Sequence, residues 1–389
     1  MRKTHVFSVT AVVLLMLAAS SPSGFSTATL ENIRQINEDG FGKSSNKYAF
    51  SMTVFDGSLF VGTLNMIDMA DMAKFFSGTK TSGASEGAEV WRYDEDGTWT
   101  QVVDGGLGNP HNIGVRKLTV AKGCIYGVTA NHNDGMEVWR SCDGESWLRV
   151  AEGGFGDPEN TSGRGLGVYK DYIYAGTEDR SKGAQLYRSK DGENWERVVH
   201  SGISDTNNWW LSDFMVFKGR LYMGTLNVGG MQLYRTRDGL HFEKLFSGGI
   251  DKFTNTAAMK LYVYNDKLYV TTMDFFQGYD LYVSENGVDF RRVIKEGLPD
   301  SEQAYLWQLI EYDGRLYGGT YHHRGARLPK GTFALLSTED GRHWEIENQN
   351  GFGNPYYYGI RSVAVYNGEL ILGTASAKYG CKIFAARSK

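Results

Sequence analysis

Residues 115–154, VRKLTVAKGCIYGVTANHNDGMEVWRSCDGESWLRVAEGG, decide how the rest of the chain is read. Apolar residues alternate up to Val120, turn at Lys122-Gly123, and resume at Ile125-Tyr126 before a Gly/Thr ending. A second pair of segments runs from Met136 to Arg140 and from Trp147 to Val150, joined by a Ser141-Cys142-Asp143-Gly144 turn. Period-two alternation broken by Gly- and Asp-rich turns predicts two successive antiparallel hairpins.

The first hairpin recurs seven times, each copy ending at a threonine: Thr63, Thr129, Thr177, Thr225, Thr272, Thr320 and Thr374. The intervals are 47 or 48 residues except for two longer ones, of 66 and 54, which read as insertions. The expected fold is all-β: a seven-bladed β-propeller of four-stranded antiparallel blades. The chain stops after Cys381–Lys389, where another outer strand is due, and Leu30–Asn37 supplies one. The ring is therefore expected to be closed by the N-terminal strand, which removes an exposed sheet edge. With 49 Gly among 389 residues, and 13% Phe, Trp and Tyr, composition agrees with a turn-rich fold holding a large aromatic core.

The second hairpin carries a repeated turn: Ser141-Cys-Asp143-Gly144-Glu-Ser-Trp147, Ser189-Lys-Asp191-Gly192-Glu-Asn-Trp195 and Thr236-Arg-Asp238-Gly239-Leu-His-Phe242. Weaker or length-shifted copies stand at Asn286-Gly287, Asp96-Gly97 and Asp340-Gly341. The motif resembles the Asp-box, or BNR, repeat of sialidase-like β-propellers. That resemblance implies the fold over nearly the whole mature chain, but no Arg-Ile-Pro motif lies near the first unit, so it carries over no catalytic residue. The repeated aspartates read as folding devices, with the carboxylate accepting backbone N–H groups, Gly allowing positive φ and the aromatic packing between sheets.

Residues 1–28 are expected to be an export signal and 29–389 a single domain. Arg2 and Lys3 precede an apolar run from Val6 to Ala19, and Ser20 and Ala28 offer cleavage points. An uncleaved anchor is the alternative. Export would make the protein secreted or periplasmic, with no membrane insertion after signal removal, and a monomer is expected. Without Arg2 and Lys3 the net charge of −4 becomes −6. That balance argues against nucleic acid as partner. Cys124 falls almost opposite Cys142 and could pair with it in an oxidising compartment, two buried thiols being the alternative.

Function should sit on the rim carrying the variable loops. The longest, residues 64–88, is expected to hold an amphipathic helix over Met66–Phe76, capped by Asn65, with Asp68, Asp71 and Lys74 on one face. It could pack against the rim, cover a substrate or bind a partner. Aligned inner strands give a polar column: Ser51, Lys117, Gly165, Asp213, Lys260, Gln308 and Ser362. One residue earlier stand Arg116, Arg164 and Arg361, which could grip a carboxylate, sulfate or phosphate, or pair with rim acids such as Glu178, Asp179 or Asp205. Trp209, Trp210, Trp307, His322, His323 and Tyr357 complete the candidate ligand-binding set, and the tryptophans read equally as packing.

No P-loop, HExxH or CxxC pattern is present, so no cofactor and no metal are expected. The functional expectation is a binding or interaction module for glycan or protein ligands. The alternative is a polysaccharide lyase or glycoside hydrolase with an arginine-lined site at the channel mouth.

Overall fold

The computed structural model describes residues 29–67, 69–80, 85–298, 302–322, 331–376 and 378–389. The export signal, Asp68 and His323 lie outside them. Seven inner hairpins form where the alternation predicts them: Asn46–Phe55 with Ser58–Asn65, Gly114–Ala121 with Cys124–Ala130, Ser162–Tyr169 with Tyr172–Glu178, and Asn208–Phe217 with Arg220–Asn227. Ala257–Tyr264 with Lys267–Met273, Gln303–Tyr312 with Arg315–His322, and Tyr357–Tyr366 with Glu369–Ser376 follow.

The expected fold class is corrected here. Rather than seven separate four-stranded blades, the strands of the described residues form one continuous 28-stranded sheet. Its fourteen inner strands close into an antiparallel barrel through bridges between successive hairpins: Leu64 opposite Gly114, Ala130 opposite Ser162, Glu178 opposite Trp210, Leu226 opposite Ala257, Met273 opposite Tyr305, Tyr321 opposite Gly359 and Ala375 opposite Tyr48. The fourteen other strands pair outside them. Closure thus lies in the inner ring, between Tyr48 and Ala375. The N-terminal strand Leu30–Gln35 is an outer strand on Ile383–Ser388, with Leu30 opposite Ser388, and does not close the barrel.

The physical reason is backbone satisfaction at the rim. Each inner hairpin runs a residue or two beyond its own partner, and the next hairpin takes up the free groups. Asn131 N–H donates to Thr161 O (2.8 Å), Asp179 N–H to Trp209 O (2.8 Å) and Asp274 N–H to Ala304 O (2.9 Å).

At the opposite rim the Asp turns do what their chemistry allows. Asp143 Oδ1 accepts the N–H groups of Glu145 (2.9 Å) and Ser146 (2.7 Å), and Gly144 takes φ +76°. Asp191, Asp238 and Asp340 repeat the pattern, and Asn286 copies it with an amide oxygen. Tyrosines tie units together across the sequence: the Tyr264 hydroxyl lies 2.7 Å from both the Gly314 and Glu339 carbonyls. Cys124 and Cys142 form a disulfide across their hairpins, and Cys381 is buried and free.

The 64–88 insertion holds a helix, α1, over Met69–Ser77, starting three residues later than expected. Asn65 does not cap it. Its amide donates instead to Asn46 Oδ1 (3.0 Å), and its Oδ1 accepts from Glu86 N–H (3.1 Å), which pins the root of the loop to the ring. Met72 and Phe75 are buried against Tyr48, Phe50, Ile113 and Ala130, so α1 covers one end of the barrel axis. No helix among the described residues is long and apolar enough to cross a membrane.

Candidate functional site

The polar column faces the axis. Lys117 Nζ reaches Asp213 Oδ1 (3.1 Å) and Lys260 Nζ reaches Asp213 Oδ2 (3.2 Å), joining three different inner strands around one carboxylate. Burial pushes the Asp213 carboxyl up, but the two ammonium groups outweigh it and hold it below its usual range. Burial lowers Lys117, with Lys260 and Arg361 adding repulsion against the pull of Asp213. Gln308 Nε2 donates to Arg361 O, and Ser362 Oγ to Ala49 O, both at 2.7 Å.

The column before it also faces the axis, which strict alternation forbids. Every inner hairpin breaks register there: between Ala49 and Ser51, Val115 and Lys117, Gly163 and Gly165, Leu211 and Phe214, Ala258 and Lys260, Leu306 and Gln308, and Ile360 and Ser362. A bulge re-aims side chains and lets two successive residues share a face. Arg116, Arg164 and Arg361, each at such a bulge, therefore line one cavity together with Lys117, Lys260, Trp210, Ser212, Met259, Trp307 and Gln308.

The three arginines differ in their partners. Arg164 donates from Nε to Glu178 Oε2 (2.6 Å), and its Nη2 is paired with the same carboxylate. Its guanidinium lies 3.6 Å from the Trp210 ring centroid. Arg180 Nε shares Glu178 through Oε1 (2.8 Å). Burial would raise Glu178, but Arg164 and Arg180 bring it down to about 2. Arg116 and Arg361, only 8% and 5% exposed, have no such partner: Arg116 Nη1 and Arg361 Nε are buried without any acceptor among the described residues. Both are held by aromatic faces, at 4.9 and 4.4 Å from the Phe50 centroid, and Arg361 also lies 4.6 Å from that of Trp307. Burial pulls Arg361 down to about 10, which leaves it charged at neutral pH. Trp307 in turn lies on Gly359, where a Cβ would stand 2.7 Å from the indole, so the ring fits only because that residue is glycine.

Helix α1 closes this end. Phe75 stacks on His132 with centroids 5.0 Å apart, and Arg116 lies 5.8 Å from Phe75. Arg180 Nη1 donates to Ser77 O (2.7 Å), holding the end of the helix to the ring. His132 is buried, which lowers its pKa and keeps it neutral. With α1 in place the cavity has a volume of about 30 Å³.

The other candidates stand elsewhere. Trp209 is half-buried beside Arg180, 5.5 Å from centroid to guanidinium. Tyr357 is buried in a different cluster, with Tyr317 and Phe333, and points away from the arginines. Its neighbour Tyr358 is on the axis side, bonded to the Tyr48 hydroxyl at 2.6 Å. His322 ends its strand 3.9 Å from Glu302 and does not line the cavity. Among the described residues no group of three or more His, Cys, Asp or Glu side chains could hold a metal ion.

No family model and no curated protein matches the chain. Solved structures do. An acylaminoacyl peptidase from Pyrococcus horikoshii is 11% identical with a TM-score of 0.50, over 88% of this chain and 52% of that one, so the chain spans about half the peptidase's length. A putative 6-phosphogluconolactonase from Bacteroides uniformis is 12% identical with a TM-score of 0.51, over 76% of this chain and 87% of that one. The β-propeller domain of the Trilobed protease from Pyrococcus furiosus is 11% identical with a TM-score of 0.48, over 87% and 93%. At such identities the first two likenesses show the fold alone, a propeller-like all-β ring.

Proposed function

We propose that this chain is a binding module whose ligand presents an anionic group to the arginines at the covered end of the axis. An acidic glycan or an acidic protein surface would supply such a group. The observation that carries the reading is the pair Arg116 and Arg361, nine-tenths buried, with Arg116 Nη1 and Arg361 Nε lacking any acceptor among the described residues. Unpaired buried charge is strongly destabilising, so a cluster kept this way favours an anion from outside. Binding is favoured over catalysis by the same surroundings. The groups lining the cavity are guanidinium, ammonium, amide, hydroxyl, thioether and indole. Burial raises the nearby phenols of Tyr48, Tyr305 and Tyr358 above their ordinary value, which keeps them protonated at neutral pH and so unable to accept a proton. The same proposal takes residues 1–28 as an export signal, 29–389 as one domain acting outside the cytoplasm as a monomer, and the Asp turns as Asp-boxes that build the supporting rim.

A sugar ring does not fit in about 30 Å³, so only the charged tip of a glycan enters unless α1 moves. The test is calorimetric titration of polyuronates, sulfated glycans and neutral glycans into the native protein and into Arg361→Met. Binding of charged glycans only, lost in the variant, is expected. Equal binding of neutral glycans, or product formation from a uronate that the variant loses, would overturn it.

A further inference from the structure

We infer that in the absence of its ligand the axial cavity holds a halide ion, chloride in practice, gripped between Arg116 and Arg361 beneath helix α1. The inference rests on reading the arginine cluster as an anion site and names the occupant of that same site. The charge balance leads to it. Five cations line the cavity, and two carboxylates serve them. Glu178 is shared by Arg164 and Arg180, and Asp213 by Lys117 and Lys260, so the single charge of each carboxylate is already divided between two cations. Among the described residues neither carboxylate pairs with Arg116 or Arg361, and Arg116 Nη1 and Arg361 Nε are buried without an acceptor.

Water would satisfy their N–H groups without neutralising their charge, and buried charge without a counter-charge is what a protein tolerates least. Size then selects the anion. About 30 Å³ corresponds to roughly two water molecules. A spherical monoanion fits that space, whereas a tetrahedral oxyanion brings four oxygens and a second charge. The indoles of Trp210 and Trp307, which line the cavity, suit a weakly hydrated, polarisable ion, because they offer the guanidiniums no competing anionic partner.

The test is thermal denaturation of the full chain in sodium gluconate, with chloride substituted stepwise at constant ionic strength, repeated with sulfate and with a polyuronate. A midpoint that rises with chloride and saturates is expected. Its apparent affinity should fall at least tenfold in Arg116→Met and in Arg361→Met, and a polyuronate should compete with chloride. Crystals of the native protein grown in bromide should show an anomalous peak between the two guanidiniums, a readout that stands even if the variants do not fold. No saturable chloride effect, a chloride effect unchanged in both variants, or a bromide peak only elsewhere would overturn the halide. If sulfate or polyuronate stabilises saturably where chloride does not, the halide fails and the anionic-ligand reading stands. If no anion stabilises saturably, both fail.

Discussion

Replacing Glu178 by glutamine should be among the most damaging single changes in the molecule, although it preserves shape. Glu178 is fully buried at the end of Tyr172–Glu178 and accepts from Arg164 and Arg180. Its pKa is about 2 against an ordinary value of 4.5, a difference that corresponds to about 3 kcal/mol in favour of the folded, ionised form. The sign follows from the depressed folded value: the contribution is complete above the ordinary value and disappears as pH falls toward 2. Glutamine removes it at every pH and leaves two partly buried guanidiniums sharing one amide oxygen, a loss of about 3–5 kcal/mol. Equilibrium urea unfolding of native protein and Glu178→Gln, at pH 7, 5 and 3, measures the gap. It should be about 3 kcal/mol or more at pH 7 and narrow to roughly half by pH 3, because protonated Glu178 resembles the amide. A gap under about 1 kcal/mol at pH 7, or one that stays constant from pH 5 to 3, would refute the charge argument.

Three further outcomes follow from the packing. The Cys124–Cys142 bridge spans 18 residues, so the double variant Cys124→Ser/Cys142→Ser should lose about 3 kcal/mol in urea unfolding, and equal stability would contradict a constraining role. Gly341→Ala should cost about 2–3 kcal/mol, since its φ is +71° and a Cβ would strike the Tyr269 hydroxyl. Gly314→Ala, at φ +74° with nothing within 4 Å, should cost only about 1 kcal/mol, so equal losses would remove the contact from the explanation. Phe75→Ala should raise the rate of proteolytic cleavage within residues 64–88 at least tenfold while the urea midpoint of the ring hardly moves, because α1 packs on the barrel end and not between its strands. A large fall in the midpoint without faster cleavage would show α1 to be part of the cooperative core.

Much of this architecture was legible because strand alternation and turn chemistry are local. The seven inner hairpins and the Asp turns follow from residues within a few positions of one another, and the Cys124–Cys142 pair from the register of two adjoining hairpins. The bridges that fuse the hairpins into one sheet join residues from different repeats, from Leu226 with Ala257 to Tyr48 with Ala375 at the two ends of the ring, and leave no local mark. The arginine column was legible, but its company was not. Strict alternation separates Arg116 from Lys117, and only the bulge in each inner strand puts both on the axis. Parity also explains Tyr357. In a run of three tyrosines nothing local says which one faces inward, and a slip of one residue exchanges Tyr357 for Tyr358. Met66 fits the apolar spacing of α1 and so predicts too early a start, whereas the Asn65 side chain that would cap it is taken by Asn46 and Glu86.

The two kinds of charge on the axis answer different needs. Lys117, Asp213 and Lys260 come from three inner strands and satisfy one another across the ring, an arrangement that fixes how those strands sit. Arg116 and Arg361 pair with no acid among the described residues. A ring selected for stability alone would do better with apolar residues at both positions, since isosteric apolar side chains often match or exceed buried ions. Their cost is reduced, not removed, by the faces of Phe50 and Trp307, which hold the guanidiniums where they already are. Groups fixed in this way need no ordering when an anion arrives, so more of the attraction remains as affinity. The aromatic walls and the missing carboxylate are thus two halves of one arrangement: the first keeps the cations in position and the second keeps them available.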